Sequence, residues 1–146
     1  PRMDTRASRP VRSSSWVARL KVLTRWLASR RLTPRFAAAF YPGCEAESQR
    51  GYRPVSDTLL LVGQLDDWTA AEPCQRLARD GPPRVTVLTY EGAYHGFDGS
   101  APLRLRSDVP NGVHPGQGVH VGGQPAARAA SQAALVQALQ AAFAKP

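Results

Sequence analysis

The run Thr58-Leu59-Leu60-Leu61-Val62-Gly63 constrains this chain more than any other feature. Its apolar residues are continuous rather than alternating, the pattern of a strand buried on both faces of a parallel sheet. Such a sheet needs crossover connections and covering helices. Two further runs fit as neighbours. Phe36-Ala37-Ala38-Ala39-Phe40-Tyr41 is stopped by Pro42-Gly43, and residues 84–90 carry Val85, Val87 and Leu88. Residues 45–57 read as polar loop. A helix is expected over 70–79, with Cys74, Leu77 and Ala78 inward, stopped by Asp80-Gly81-Pro82-Pro83. Residues 91–125 read as one long loop rich in Gly, Pro and Asp. A last helix is expected over 126–144, with Leu135, Val136, Leu139 and Phe143 on its inner face.

The expected order from residue 36 is strand, loop, strand, helix, strand, long loop, helix. Strands alternating with helices imply an α/β fold with parallel pairing and right-handed crossovers. The chain has 146 residues, which suits one small domain. Yet three strands and two helices make a thin sheet, and a 35-residue loop is long for a compact domain. Both features favour the last strands of a larger parallel sheet with flanking helices.

The formal net charge of +8 is unevenly placed. Residues 1–35 hold ten Lys and Arg against the single acid Asp4, and the remainder holds nine against ten. The division therefore falls at residues 1–34 and 35–146, a basic N-terminal segment and an α/β body. Within the segment, residues 1–15 are rich in Arg, Ser and Pro and read as loop, and a helix is expected over 16–29. Three readings fit the segment: an arm contacting nucleic acid or anionic membrane, a solvated substitute for domain sequence, or coding sequence read in a shifted frame. No apolar run approaches the ~20 residues of a membrane helix, and no apolar stretch follows the early charges as in a secretory signal. A cytoplasmic location is the default expectation.

In open α/β folds the chemistry gathers at the carboxyl ends of the strands. Tyr41-Pro42-Gly43-Cys44 follows the first strand, Gln64-Leu65-Asp66-Asp67-Trp68 the second, and Ala93-Tyr94-His95-Gly96-Phe97-Asp98 the third. An acid after one strand and a histidine after the next is the chain order of the acid and base in an α/β-hydrolase triad. The histidine takes a proton from the nucleophile, and the carboxylate holds its other nitrogen in the required tautomer. Asp66 and His95 are the candidate catalytic residues, with Asp67 as the alternative acid. Cys44 and Cys74, thirty positions apart, lack C-x-x-C spacing and read as two free thiols. Cys44 follows the first strand, as a candidate nucleophile would. His114 and His120 are six apart, and no carboxylate or cysteine nearby in sequence completes a metal set. The glycines around them do not have the spacing of a nucleotide loop.

Residues 35–144 resemble the carboxyl-terminal half of the dienelactone hydrolase family. The matching segments are Arg35-Phe36 through Phe40-Tyr41-Pro42-Gly43-Cys44, then Leu59-Leu60-Leu61-Val62-Gly63 with Asp66-Asp67-Trp68-Thr69, then Ala71-Glu72-Pro73-Cys74. They continue in Tyr90-Glu91-Gly92-Ala93-Tyr94-His95-Gly96-Phe97-Asp98 and in Asp108-Val109-Pro110-Asn111-Gly112. The resemblance implies a partial α/β-hydrolase fold, Asp66 as triad acid, His95 as triad base, and hydrolysis of a small-molecule ester or lactone. It implies a nucleophile ahead of the first strand instead of Cys44. It implies no cofactor and no metal.

The sequence departs from the family pattern in two places. Ala70 stands where many relatives carry proline. Upstream, the family's nucleophile elbow, Gly-x-Cys-x-Gly or Gly-x-Ser-x-Gly, is missing, since no glycine precedes Gly43. Ser14 or Ser15 stands at its place without the glycines the strained turn requires. The chain is therefore expected to carry the acid and base of a fragment lacking the elbow, with little or no esterase activity alone and a tendency to self-associate. The rival reading is a non-catalytic binding protein whose basic arm contacts nucleic acid or anionic membrane. The near-neutral body favours neither of those partners.

Overall fold

The computed structural model describes residues 33–144. The chain divides into two units, Pro1–Thr33 and Pro34–Pro146. The expected helix over 16–29, the basic segment up to residue 32, Ser14 and Ser15 all lie outside the described residues.

Three strands, β1 (Phe36–Phe40), β2 (Asp57–Gly63) and β3 (Val85–Tyr90), form a parallel sheet with β2 at its centre. The register pairs Phe40 with Leu61, Leu61 with Leu88, and Gly63 with Tyr90. The continuous run of β2 is explained by its two faces. Leu60 and Val62 point into one cluster with Cys44, Ala71, Cys74 and Val85. Leu59 and Leu61 point into another with Ala93, Phe97 and Ala127. Side chains alternate along a strand, so both sets must be apolar when both faces are covered.

Helices α1 (Cys44–Gln49) and α2 (Ala71–Asp80) lie on the first face, and α3 (Pro125–Ala144) packs against β1 and β2 on the other. The fold is mixed α/β with a three-stranded parallel sheet and flanking helices.

Four expectations need correcting. Residues 45–57 are not all loop, because α1 occupies their first turn and more. Glu45 and Glu47 sit in its first turn, where the exposed N–H groups favour acids. Its end is closed by Gly51 at φ +68, with Gly51 N–H donating to the Ser48 carbonyl at 2.9 Å and Tyr52 N–H to that of Glu47 at 3.1 Å.

The stretch 91–125 is not an unbroken loop either. It holds an antiparallel pair, β4 (Arg104–Arg106) and β5 (Val119–Val121), and Val121 bridges to His95.

The third correction concerns α3. Its buried residues are Ala127 and Ser131, with Ala138 packed against the same cluster, while Val136, Leu139 and Phe143 are exposed. Small side chains let the helix lie close to the sheet; of the four large residues expected inward, Leu135 is half-buried and the other three face away. The Ser131 hydroxyl is satisfied by the Arg128 carbonyl at 3.0 Å.

Cys44 and Cys74 are joined in a disulfide rather than free, with Cα atoms 5.0 Å apart. A separation of thirty positions conceals this proximity, which arises because α1 and α2 pack side by side on one face of the sheet.

Candidate active site

The ends of the three strands open at one edge of the sheet. Gly63 and Tyr90 are register partners, so the segments leaving β2 and β3 start side by side. Gln64 N–H donates to the Tyr90 carbonyl and Leu65 N–H to that of Ala93, both at 2.9 Å. Tyr41 N–H donates to the Leu61 carbonyl at 2.8 Å, which brings the end of β1 to the same edge.

Asp66 lies in the turn after β2, and its side chain is fully buried. Burying a carboxylate without partners is costly, and here both oxygens have them. Oδ1 accepts the backbone N–H of Trp68 at 2.9 Å and of Thr69 at 2.8 Å. Oδ2 lies 3.0 Å from the Thr69 hydroxyl and 3.0 Å from His95 Nδ1. An aspartate bonding the backbone two and three residues ahead is a local turn that aspartate is suited to make. The turn therefore fixes the carboxylate independently of His95.

His95 lies in the segment after β3, with its side chain 16% exposed. The Thr69 hydroxyl is 3.0 Å from the Tyr41 carbonyl and 3.2 Å from His95 Nδ1. One proton assignment satisfies every group. Nδ1–H donates to Asp66, and the single Thr69 hydroxyl proton goes to the Tyr41 carbonyl. Nε2 is then the basic nitrogen, and among the described residues no hydrogen bond engages it. The rings of Tyr41 and Trp68 both lie against the imidazole, with centroids 4.2 and 4.5 Å away. Tyr41 donates its hydroxyl to Asp98 at 2.9 Å. Burial first, then the Asp98 hydrogen bond and charge and the charge of Asp66, push its phenol well above the usual tyrosine range.

The structure thus brings Asp66 and His95 together. Asp67 faces elsewhere: its Oδ2 lies 2.6 Å from His120 Nδ1 and its Oδ1 accepts the His120 N–H at 2.8 Å. His114 is exposed and uses its backbone carbonyl to accept from Gln117 at 3.1 Å. Among the described residues no group of three or more His, Cys, Asp or Glu could hold a metal. In its disulfide Cys44 has no thiolate to offer. Among the same residues no helix is long and apolar enough to cross a membrane.

Thr69, Tyr41, Trp68, Asp98 and His120 carry roles that sequence reasoning did not assign. For Thr69 a signal existed: a hydroxyl residue three after an aspartate is where an aspartate turn closes. Nothing in the sequence marked His120 as the partner of Asp67.

Comparison with protein-family models, with curated proteins and with solved structures found no match to this chain.

Proposed function

We propose that this chain carries the acid and base of an ester- or lactone-hydrolysing α/β-hydrolase of the dienelactone hydrolase type. The observation that carries the reading is the 3.0 Å contact between His95 Nδ1 and the fully buried carboxylate of Asp66, made at adjacent strand ends in acid-then-base order. In this reading His95 Nε2 takes the proton of the attacking nucleophile and returns it to the leaving oxygen. Asp66 holds the Nδ1–H tautomer and stabilises the imidazolium formed in between. Thr69 holds Asp66 Oδ1 by its backbone N–H and the Tyr41 carbonyl by its hydroxyl. No serine hydroxyl or free thiol is hydrogen-bonded to His95 among the described residues, so the nucleophile is left unassigned.

An imidazole held in this way hydrolyses an activated ester slowly even without a partner nucleophile. The full chain is expected to release p-nitrophenol from p-nitrophenyl acetate at a low rate that His95→Ala lowers by about a hundredfold, the scale of general-base assistance. Asp66→Asn lowers it as well. Equal rates for the wild-type and His95→Ala chains would sink the reading. The rival reading, a basic arm on a polyanion, concerns residues outside the described part, and no observation at this site favours it.

A further inference from the structure

The turn that carries Asp66 carries a second carboxylate, and the two serve different histidines. Asp67 takes three hydrogen bonds from the segment after His95. Its Oδ2 is 2.6 Å from His120 Nδ1, its Oδ1 accepts the His120 N–H at 2.8 Å, and its backbone carbonyl accepts the Val113 N–H at 2.8 Å. Gly112 allows the approach, because a Cβ there would stand 2.8 Å from the Asp67 carbonyl oxygen and 2.7 Å from a Val119 methyl.

The same segment returns to His95. Val121, beside His120, bridges to His95, and Gly122 N–H donates to the His95 carbonyl at 3.0 Å. Tyr94, beside His95, lies with its ring 4.9 Å from that of His120. The contacts close a ring. One peptide bond joins Asp66 to Asp67 and another joins His120 to Val121. Asp67–His120, Val121–His95 and His95–Asp66 complete the circuit. Asp66 and Thr69 hold His95 by its side chain, and the ring holds it by its backbone. The two pairs also differ in exposure. His120 and Asp67 are 40% and 25% exposed, against 16% and 0% for His95 and Asp66. The outer pair is thus suited to tethering and the inner one to presenting a base.

We propose that Asp67 and His120 are a positioning pair that holds His95 against Asp66. Its importance for turnover rests on the hydrolase reading, whereas the geometric claim does not. A network of this kind is worth more than its separate bonds, since losing one link frees the others to move.

The test reads His95 directly, by imidazole nitrogen and proton resonances of the ¹⁵N-labelled full chain. His120→Ala is expected to speed solvent exchange of the His95 Nδ1–H by about tenfold, a local opening that leaves the amides of β1–β3 unchanged. His120→Asn, whose amide can donate to Asp67 from the Nδ1 position, is expected to restore slow exchange. If His120→Ala does not fold, Asp67→Ala gives the same readout, because it removes both side-chain acceptors of His120. Unchanged His95 resonances and exchange in whichever variant folds would overturn the proposal. The hydrolase reading fails differently: ester hydrolysis would be independent of His95 while the exchange effect persists.

Discussion

The ring of Tyr41 lies 4.2 Å from the imidazole of His95, while its hydroxyl donates to Asp98, three residues further along the same segment. Its carbonyl accepts from Thr69, and its N–H donates to Leu61. One residue at the end of β1 is therefore tied to β2, to the acid turn and to both ends of the base segment. It does so at φ +38, a left-handed backbone that a tyrosine adopts only at a cost of about 1–2 kcal/mol. Strain of that kind persists where the surroundings over-determine the conformation.

Removing the Tyr41 hydroxyl separates the anchor from the ring. Tyr41→Phe keeps the ring against His95 and leaves Asp98 without its donor, and is expected to lower stability by about 1 kcal/mol. The alkaline limb gives a sharper test. The folded phenol keeps its proton above the ordinary value of 10.0, so above that pH the unfolded chain holds fewer protons than the folded one. The stability that Tyr41 contributes is fully present below 10.0 and falls as the pH rises beyond it. Urea melts at pH values of about 8 to 11 are expected to show a smaller alkaline loss in Tyr41→Phe than in the wild type. Equal losses would contradict the assignment.

At Asp66 two substitutions part company. Asp66→Ala leaves the N–H groups of Trp68 and Thr69 and the His95 Nδ1–H without their acceptor in a buried place. The expected cost is about 3–5 kcal/mol, as for one partner removed from a buried pair. Asp66→Asn keeps an oxygen for the two backbone donors and turns an amide N–H toward His95. It is expected to cost about 1–3 kcal/mol and to shift the imidazole to the Nε2–H tautomer. Thermal unfolding gives the first difference and imidazole ¹⁵N shifts the second. An unchanged tautomer in Asp66→Asn would show that Asp66 does not set it.

What the sequence made legible follows from how much chain each feature spans. The continuous run of β2 identified a strand covered on both faces, and the chain order of Asp66 and His95 anticipated their meeting. The six-residue α1 was too short to show a period, although Glu45, Glu47 and Gly51 marked its start and its stop. The three-residue β4 and β5 were shorter still. Choosing between Asp66 and Asp67 required knowing which carboxylate His120 occupies, a relation across 53 positions. In α3 small residues carry most of the packing, and a reading that weighs large apolar residues turned Val136, Leu139 and Phe143 inward.

The Cys44–Cys74 disulfide fastens the start of α1 to α2. Cys44 is three residues after Tyr41, and Cys74 is five after Thr69, so the crosslink flanks the Thr69–Tyr41 hydrogen bond from both chains. Closing a loop of thirty residues is expected to contribute roughly 3–4 kcal/mol, chiefly by restricting the unfolded chain. Urea melts with and without dithiothreitol measure it, beside a thiol titration of the unreduced protein. Two titratable thiols per chain under non-reducing, denaturing conditions would show that the bond is not formed. Bonds of this kind persist in oxidising surroundings, so the redox state of the purified protein also bears on the default expectation of a cytoplasmic location.

The outward face of α3 gives the last prediction. Val136, Leu139 and Phe143 fall three and seven residues apart on one stripe, and Phe143 is 64% exposed. Polar replacements there remove little buried surface. Phe143→Ser and Val136→Ser are each expected to change the unfolding free energy by no more than about 0.5 kcal/mol, the usual range for surface positions. Ala127 is buried between helix and sheet, where small size permits the close approach. Ala127→Leu must therefore push α3 away from Leu59 and Leu61, at an expected cost of about 1–3 kcal/mol. The contrast inverts what the apolar pattern alone implies, in which the large residues face the sheet and the alanines do not. Chemical denaturation of the three variants at low protein concentration decides it. A Phe143→Ser chain that loses more stability than Ala127→Leu would return the large residues to the inner face.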